Sequence, residues 1–268
     1  MLKIGFVGSG NMAEAMIFGL LNTQLFIDKN IYVYDLNKSK SEHLKKEYSI
    51  NISNSNTELV KSVDIIVFAV KPYIVDSVIS SIRDTVTAKH IILSIAAGIK
   101  IERIEAQFNK DVKIARTMPN TAALINEGIT AICFNRNITN NEKVITIDII
   151  ESFGKSVELP EEQFDIFTSI CASSPAFVYL FIDALAQSGK DFGINIDIAF
   201  QIVAQAFLGA SKMIIETKEN PLVLLDKVCT KGGTTIEGVK VLEQHNIFDT
   251  IKKAAFKTAE RSKEISSE

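Results

Sequence analysis

The tightest constraint on the fold of this chain is Gly8-Ser9-Gly10-Asn11-Met12-Ala13, a G-x-G-x-x-A loop between a short apolar run and an amphipathic pattern. Residues 2–7 ahead of it are compact and apolar, as expected of a strand buried on both faces. Residues 11–22 behind it carry Met12, Ala15, Met16 and Leu20 at helical spacing. A strand that turns directly into a helix needs glycine because the turn is tight and the backbone must approach a ligand closely. The helix N-terminus then offers free N–H groups and a positive dipole end to an anion. Read alone the motif is a structural turn; in this setting it predicts a site for a dinucleotide pyrophosphate.

The rest of the first half repeats that alternation. Residues 31–35, 64–70 and 90–96 read as strands rich in Ile and Val, and 112–117, 129–135 and 156–159 as weaker ones. Helical patterns at 38–47, 73–87, 101–108 and 140–153 separate them. The implied fold class is α/β, a Rossmann-type doubly wound parallel sheet with helices on both faces. The pattern changes near Leu159-Pro160-Glu161-Glu162. Beyond it only helices are expected, at 177–188, 197–216 and 234–244, with Asp197 as the N-cap of the second. The expected domains are therefore 1–160, binding a dinucleotide, and 161–268, all-helical. A total of 268 residues suits two domains of about 100–200 residues each.

Charge and special residues exclude several classes. Net charge is −3 with both signs interspersed, so no basic stripe invites nucleic acid. Cys133, Cys171 and Cys229 are odd in number and far apart, which supports neither a disulfide framework nor a zinc site. They read as buried thiols in a reducing, cytoplasmic compartment. His43, His90 and His245 have no metal-ligand spacing, and no metal is expected. The N-terminus is not a signal peptide, because Lys3, three glycines, Asn11 and Glu14 interrupt the apolar run. The longest charge-free apolar stretch, between Asp165 and Asp183, is shorter than the roughly 20 residues of a membrane span. A buried helix is expected there, and no membrane partner.

Several positions are placed for ligand contact. Asp35, at the end of the second strand, is suited to accept hydrogen bonds from adenosine ribose hydroxyls and to repel a 2′-phosphate, which favours NADH. Asn37, Lys38, Ser39 and Lys40 follow at once and are suited to hold that phosphate, which favours NADPH, so both coenzymes stay open. Ala69-Val70-Lys71-Pro72 and Ser94-Ile95-Ala96-Ala97-Gly98 end strands where ligands bind in doubly wound sheets. In the helical half, Thr230-Lys231-Gly232-Gly233-Thr234-Thr235-Ile236-Glu237 reads as a glycine turn before a helix, with Thr234-x-x-Glu237 as a capping box. Its backbone N–H groups form a second nest, of a size for a carboxylate.

Taken in order, these segments resemble the pyrroline-5-carboxylate reductase family. The likeness runs from residues 4–13 through 69–72, 94–98, Arg116-Thr117-Met118-Pro119-Asn120-Thr121 and Ser173-Ser174-Pro175-Ala176 to 221–243. It implies reduction of 1-pyrroline-5-carboxylate to L-proline with NADPH or NADH, on a homodimer whose helices interleave and whose dimers assemble into decamers. Each active site would lie between a nucleotide domain and the helical domain of one or both subunits. The resemblance gives the pyrophosphate to Gly8, Ser9, Gly10, Asn11 and Met12, and places Asn56 near the adenosine. It places Ala69, Val70, Lys71, Pro72, Ala97 and Asn120 near the nicotinamide half. Thr230, Gly232, Gly233 and Thr234 would hold the substrate carboxylate, with Thr235 facing the ring nitrogen to orient it. The chain departs from the family at Ala122, Ala172, Phe177 and Lys231, the last adding a cation beside the carboxylate site. The rivals are another imine reductase, a β-hydroxyacid dehydrogenase, whose catalytic lysine has no counterpart in residues 171–178, and a non-catalytic dinucleotide sensor.

Overall fold

The computed structural model describes residues 2–267, which divide into two compact units. One runs to Ala172 and resumes at Thr258; the other spans Ser173–Lys257. The first unit opens with β1 (Ile4–Val7), α1 (Asn11–Asn22), β2 (Ile31–Tyr34), α2 (Lys38–Tyr48), β3 (Asn51–Ile52), α3 (Asn56–Ser62) and β4 (Ile65–Phe68). It continues through α4 (Val75–Ile82), β5 (Ile91–Ser94), α5 (Ile101–Glu105), β6 (Lys113–Met118), β7 (Gly128–Phe134), α6 (Asn140–Glu151), β8 (Gly154–Glu158) and α7 (Phe164–Phe167). The eight strands form one sheet in the order β3-β2-β1-β4-β5-β6-β7-β8.

Strands β1, β4 and β5 are buried at every position, which explains their continuous apolar runs. Alternate side chains feed two cores. Ile4, Phe6, Ile65, Val67 and Leu93 pack with Met16, Leu20 and Ile149 of α1 and α6. Val7, Ile66, Phe68 and Ile92 pack with Leu59, Val75 and Ile79 of α3 and α4. Each such side chain contributes roughly 1.5–3 kcal/mol on burial. Gly5 faces the α3 side, where a Cβ would come within 2.5 Å of Leu59 Cδ2. The two-residue β3 and seven-residue α3 are too short for a periodic signal, and the sequence reading misses both.

The sheet is not wholly parallel, because β7 runs antiparallel to β6. Between them stands a single 3₁₀ turn, Thr121–Ile125, and Asn126 with φ of 59° reverses the chain. That link is too short for the crossover a parallel neighbour requires. Helix α6 provides such a crossover, and β8 returns parallel to β7. A capping box between Thr139 and Glu142 starts α6. Buried Arg116 on β6 donates to Glu161 Oε1 at 2.8 Å and lies 4.6 Å over the Phe164 ring, which ties the sheet to α7.

The second unit comprises α8 (Ser174–Asp191), α9 (Ile196–Thr217), α10 (Pro221–Val228), α11 (Thr234–Gln244) and the first half of α12 (Ile247–Ser267). Helices α8 and α9 approach closely at Gly189, where a Cβ would lie 3.5 Å from that of Ala199. The N-cap of α9 is Asn195, not Asp197; its side chain accepts from the N–H groups of Asp197 and Ile198, leaving Asp197 in the first turn. The expected buried helix between Asp165 and Asp183 is instead largely uncovered in the single chain, with Tyr179 65% and Leu180 71% exposed. Apolar residues on several sides of α8 exceed what one neighbouring helix can cover. The helical runs Glu161–Asp191 and Ile196–Thr217 are long and apolar enough to cross a membrane by length and composition, because helix continues through Ser173-Ser174-Pro175.

One buried group makes stability depend on pH. His90 is enclosed, its Nδ1 accepting from the Thr87 N–H at 2.9 Å and its Nε2 meeting Val60 O at 3.2 Å. Burial, the largest influence, pushes its pKa below the ordinary 6.5 despite the raising effect of the Val60 and Thr87 contacts. The unfolded chain therefore takes the proton first, and this contribution to stability is full above 6.5 and declines as pH falls below it. Urea unfolding between pH 7.5 and 5.5 is expected to show that decline, and His90→Gln to flatten it.

Candidate functional site

The chain leaves β1 for α1 on one face of the sheet and β4 for α4 on the other, so a crevice opens beyond the carboxyl ends of these strands. A cavity of about 840 Å³ lies there, within the first unit. Gly8, Gly10, Asn11 and Met12 form one wall, Asp35 and Asn56 another, and Ala69, Val70, Lys71, Pro72 and Ala97 a third. Ser9 and Asn120 are not in its lining. Asn120 turns its Oδ1 toward the Ile129 N–H at 3.4 Å. The sequence reading misses Tyr34, Ile74, Ser77 and Val78 in the wall. The last three recur at i, i+3 and i+4, so one face of α4's entry meets the cavity, a signal that periodicity carries.

The two glycines of the loop are glycine for different reasons. Gly8 has φ of +103°, donates its N–H to Tyr34 O at 2.8 Å, and would drive any Cβ into the Ala69 carbonyl. Gly10 has an ordinary φ of −80°, and nothing lies within 4 Å of where its Cβ would stand. It is the N-cap of α1 and has no side chain to cap the helix, so first-turn N–H groups of α1 are left without an intrahelical partner. Asn56 donates from Nδ2 to Ser81 Oγ at 3.0 Å, while its Oδ1 is buried without a partner. An orphaned acceptor costs about 1–3 kcal/mol unless a donor arrives from a ligand. An uncapped helix end, a bare glycine and a waiting acceptor around one cavity fit a dinucleotide.

Asp35 is more engaged than a solvated strand end. Its Oδ2 accepts from the Ser9 N–H and hydroxyl, both at 2.8 Å, and its Oδ1 from the Asn37 N–H at 2.8 Å. Burial alone would raise its pKa; the bonds from Asn37 and Ser9 and the charge of Lys40 outweigh it, and the carboxyl titrates below its ordinary value. Leu36, Asn37 and Lys40 also line the cavity. Gly98, next to the cavity residue Ala97 and with φ of +76°, is backed by Ile265 and Ser266 from the end of α12. Ser262 and Ser266 donate to Asp165 Oδ1 at 2.7 and 3.2 Å, which fixes that end within the same unit.

In the second unit the Gly233 N–H donates to Thr230 O at 3.0 Å, closing a tight turn with Gly232 at φ +77° in its third position. The expected capping box is absent. Gly233, not Thr234, is the N-cap of α11, so Thr234 lies inside the helix and Glu237 pairs with Lys240 instead. The turn ends on Gly233 in extended backbone, which starts the helix one residue too early for Thr234 to cap it. No side chain caps the end, so first-turn N–H groups remain open beside exposed Thr235.

Cys133 and Cys171 are buried thiols, whereas Cys229 is half-buried. Burial pushes the Cys133 thiol up to about 12, and burial also raises that of Cys171. Among the described residues, no three His, Cys, Asp or Glu side chains gather as a metal site.

Known proteins match the chain along nearly its whole length. A family model described as pyrroline-5-carboxylate reductase dimerisation matches residues 161–265. Another, described as NADP oxidoreductase coenzyme F420-dependent, matches residues 3–98. The pyrroline-5-carboxylate reductase of Escherichia coli (strain K12) is 36% identical over 98% of either chain. That of Methanosarcina acetivorans is 33% identical, over 98% of this chain and 97% of its own. The crystal structure of Plasmodium falciparum pyrroline carboxylate reductase with NADP bound is 32% identical, covers 99% of this chain and 98% of its own, and has a TM-score of 0.89.

The contrast between the loop glycines is measurable in the fold itself. Gly8→Ala should lower stability by at least about 1–3 kcal/mol, from its φ alone, before the clash with Ala69 is counted. A chemical denaturation midpoint unchanged from the parent would refute the close approach of the two strand ends.

Proposed function

We propose how this chain, which belongs to the pyrroline-5-carboxylate reductase family, divides its reaction among its residues. The enzyme is an NAD(P)H-dependent oxidoreductase that reduces the cyclic imine 1-pyrroline-5-carboxylate to L-proline, the last step of proline biosynthesis. When bound, the reduced nicotinamide supplies the hydride.

The observation that carries the coenzyme site is Gly10. Its φ and its open surroundings would accept any side chain, so the fold does not ask for glycine there; a ligand pressed against the backbone does. Gly8 to Met12 would hold the pyrophosphate with the α1 dipole. Asn56 would accept from the adenosine half, and Ala69 to Pro72, Ala97 and Asn120 would border the nicotinamide half. Residues 1–160 form the nucleotide-binding part in this reading, and 161–268 the dimerisation and substrate part.

The substrate carboxylate would sit on the backbone of Thr230, Gly232, Gly233 and Thr234. Gly232 gives the turn its left-handed corner, and the uncapped start of α11 adds N–H donors and the positive dipole end. Lys231 adds a cation beside them. Thr235, second in α11, would hydrogen-bond the ring nitrogen. A threonine hydroxyl is a poor acid at neutral pH, so its work is to orient the imine and pass a proton from water.

A second copy of the chain is the partner. Tyr179 and Leu180 of α8, Ile202 and Ile215 of α9, and Phe248 and Phe256 of α12 are exposed in one chain, on the segment matched by the dimerisation family model. A protein partner supplies the cover that lipid would otherwise give, so we assign no membrane role to these helices. Pentamers of dimers, a cytoplasmic location and the absence of nucleic-acid partners complete the reading.

Absorbance at 340 nm, followed with pyrroline-5-carboxylate and either NADH or NADPH, should fall as proline forms. No substrate-dependent fall with either coenzyme would overturn the reading. Thr235→Ala should lower kcat by roughly ten- to a hundredfold with little change in coenzyme affinity. Gly10→Val should keep the parent's melting temperature and lose tight coenzyme binding; a variant that binds normally would remove the loop from the site.

A further inference from the structure

The sequence pattern gives Asp35 the part of a ribose ligand, and an acid at that position ordinarily selects against a 2′-phosphate. The geometry gives it other work. Both carboxylate oxygens already accept from protein donors, three in all: Oδ2 from the N–H and hydroxyl of Ser9, Oδ1 from the N–H of Asn37. Ser9 is 6% exposed and its hydroxyl is turned to Asp35 rather than into the lining of the cavity, although both its chain neighbours line it.

We infer that Asp35 is a positioning residue for coenzyme binding, clamping Ser9 so that the flanking glycines and the start of α1 are held open toward the cavity. The inference rests on the coenzyme reading of the glycine loop given above. Ser9 is the one residue between two glycines, and glycine backbone loses more conformational freedom on ordering than any other. A loop of that kind stays in one shape only if something grips it. Its anchors are the Gly8 N–H on Tyr34 O and the two bonds from Ser9 to Asp35.

A carboxylate suits this position because three donors converge on one side chain that carries no hydrogen of its own. The same group reaches the β2–α2 turn. There Asn37 caps α2, its Oδ1 accepting from Ser39 N at 3.2 Å and Ser39 Oγ at 2.7 Å, and Lys40 comes to the cavity wall. One carboxylate thus sets two walls of the coenzyme cavity. The carboxylate stays ionised, but three protein donors and the charge of Lys40 offset its field toward a 2′-phosphate, so it is not the gate that excludes one. Coenzyme affinity as a whole depends on it, and the choice between NADH and NADPH does not.

The test uses the intact enzyme and measures dissociation constants for NADH and NADPH by fluorescence titration, alongside melting temperature and kinetics. Asp35→Ala should weaken both coenzymes by about tenfold, leaving their ratio within about threefold of the parent. KM for the coenzyme should change by a larger factor than kcat. Asp35→Asn should recover part of the loss, since its one amide oxygen can still accept both Ser9 bonds, while its NH₂ is a donor and cannot replace the bond from the Asn37 N–H. Ser9→Ala should weaken both coenzymes in the parent and have no further effect in Asp35→Ala.

Loss of NADH binding alone, with Ser9→Ala additive, would overturn the clamp and restore the ribose contact. Unchanged affinities in Asp35→Ala, with Gly10→Val still unable to bind, would overturn the clamp alone. Normal binding by Gly10→Val would overturn the loop assignment and the clamp with it.

Discussion

The first unit depends on how closely β1 and β4 approach just beyond their ends. At Gly8 the backbone turns through a left-handed φ against the carbonyl of Ala69, and no side chain fits between them. This contact lets β1 and β4 lie side by side although α1 and α3 intervene in sequence. It also brings the segment after β4 into the same cavity wall system as the glycine loop. Widening this approach would separate the coenzyme residues before it changed the cores above and below the sheet.

Much of this architecture is legible in the residues because burial on both faces leaves a simple record. Ile4–Val7, Ile65–Phe68 and Ile91–Ser94 are apolar runs with helices between them, and a right-handed crossover is their usual solution. The legibility fails where local interactions decide. The antiparallel β7 follows from the length of the link after Met118, which hydrophobic pattern does not record. Asp197 and Thr234 have the right chemistry for caps, but the turns before them end on Asn195 and Gly233. Thr139 and Glu142, by contrast, form a capping box that the sequence reading passes over, although its T-x-x-E spacing carries the signal.

The candidate site shows the same division. Gly8, Gly10, the Lys71-Pro72 turn and Ala97 announce themselves by residue type at strand ends, and all line the cavity. Side-chain commitments do not. Nothing in the sequence says that Asp35 points at Ser9, that Asn120 turns toward β7, or that Asn56 keeps a bare oxygen. The uncovered faces of α8 and α9 are a related case: their hydrophobicity is plain in the sequence, but whether one chain covers it is a property of the assembly.

The end of α12 carries a consequence for synthesis. Ser262 and Ser266 bond to Asp165, nearly a hundred residues upstream, in a unit whose other parts precede Ser173. A ribosome delivers these residues after every other part of that unit. The eight-stranded sheet can assemble while the remainder is still being made, but the turn at Gly98 gains its backing only after the whole helical segment has emerged. A nascent chain therefore carries a nearly finished nucleotide domain while the helical segment is made, and the end of α12 completes it only afterwards.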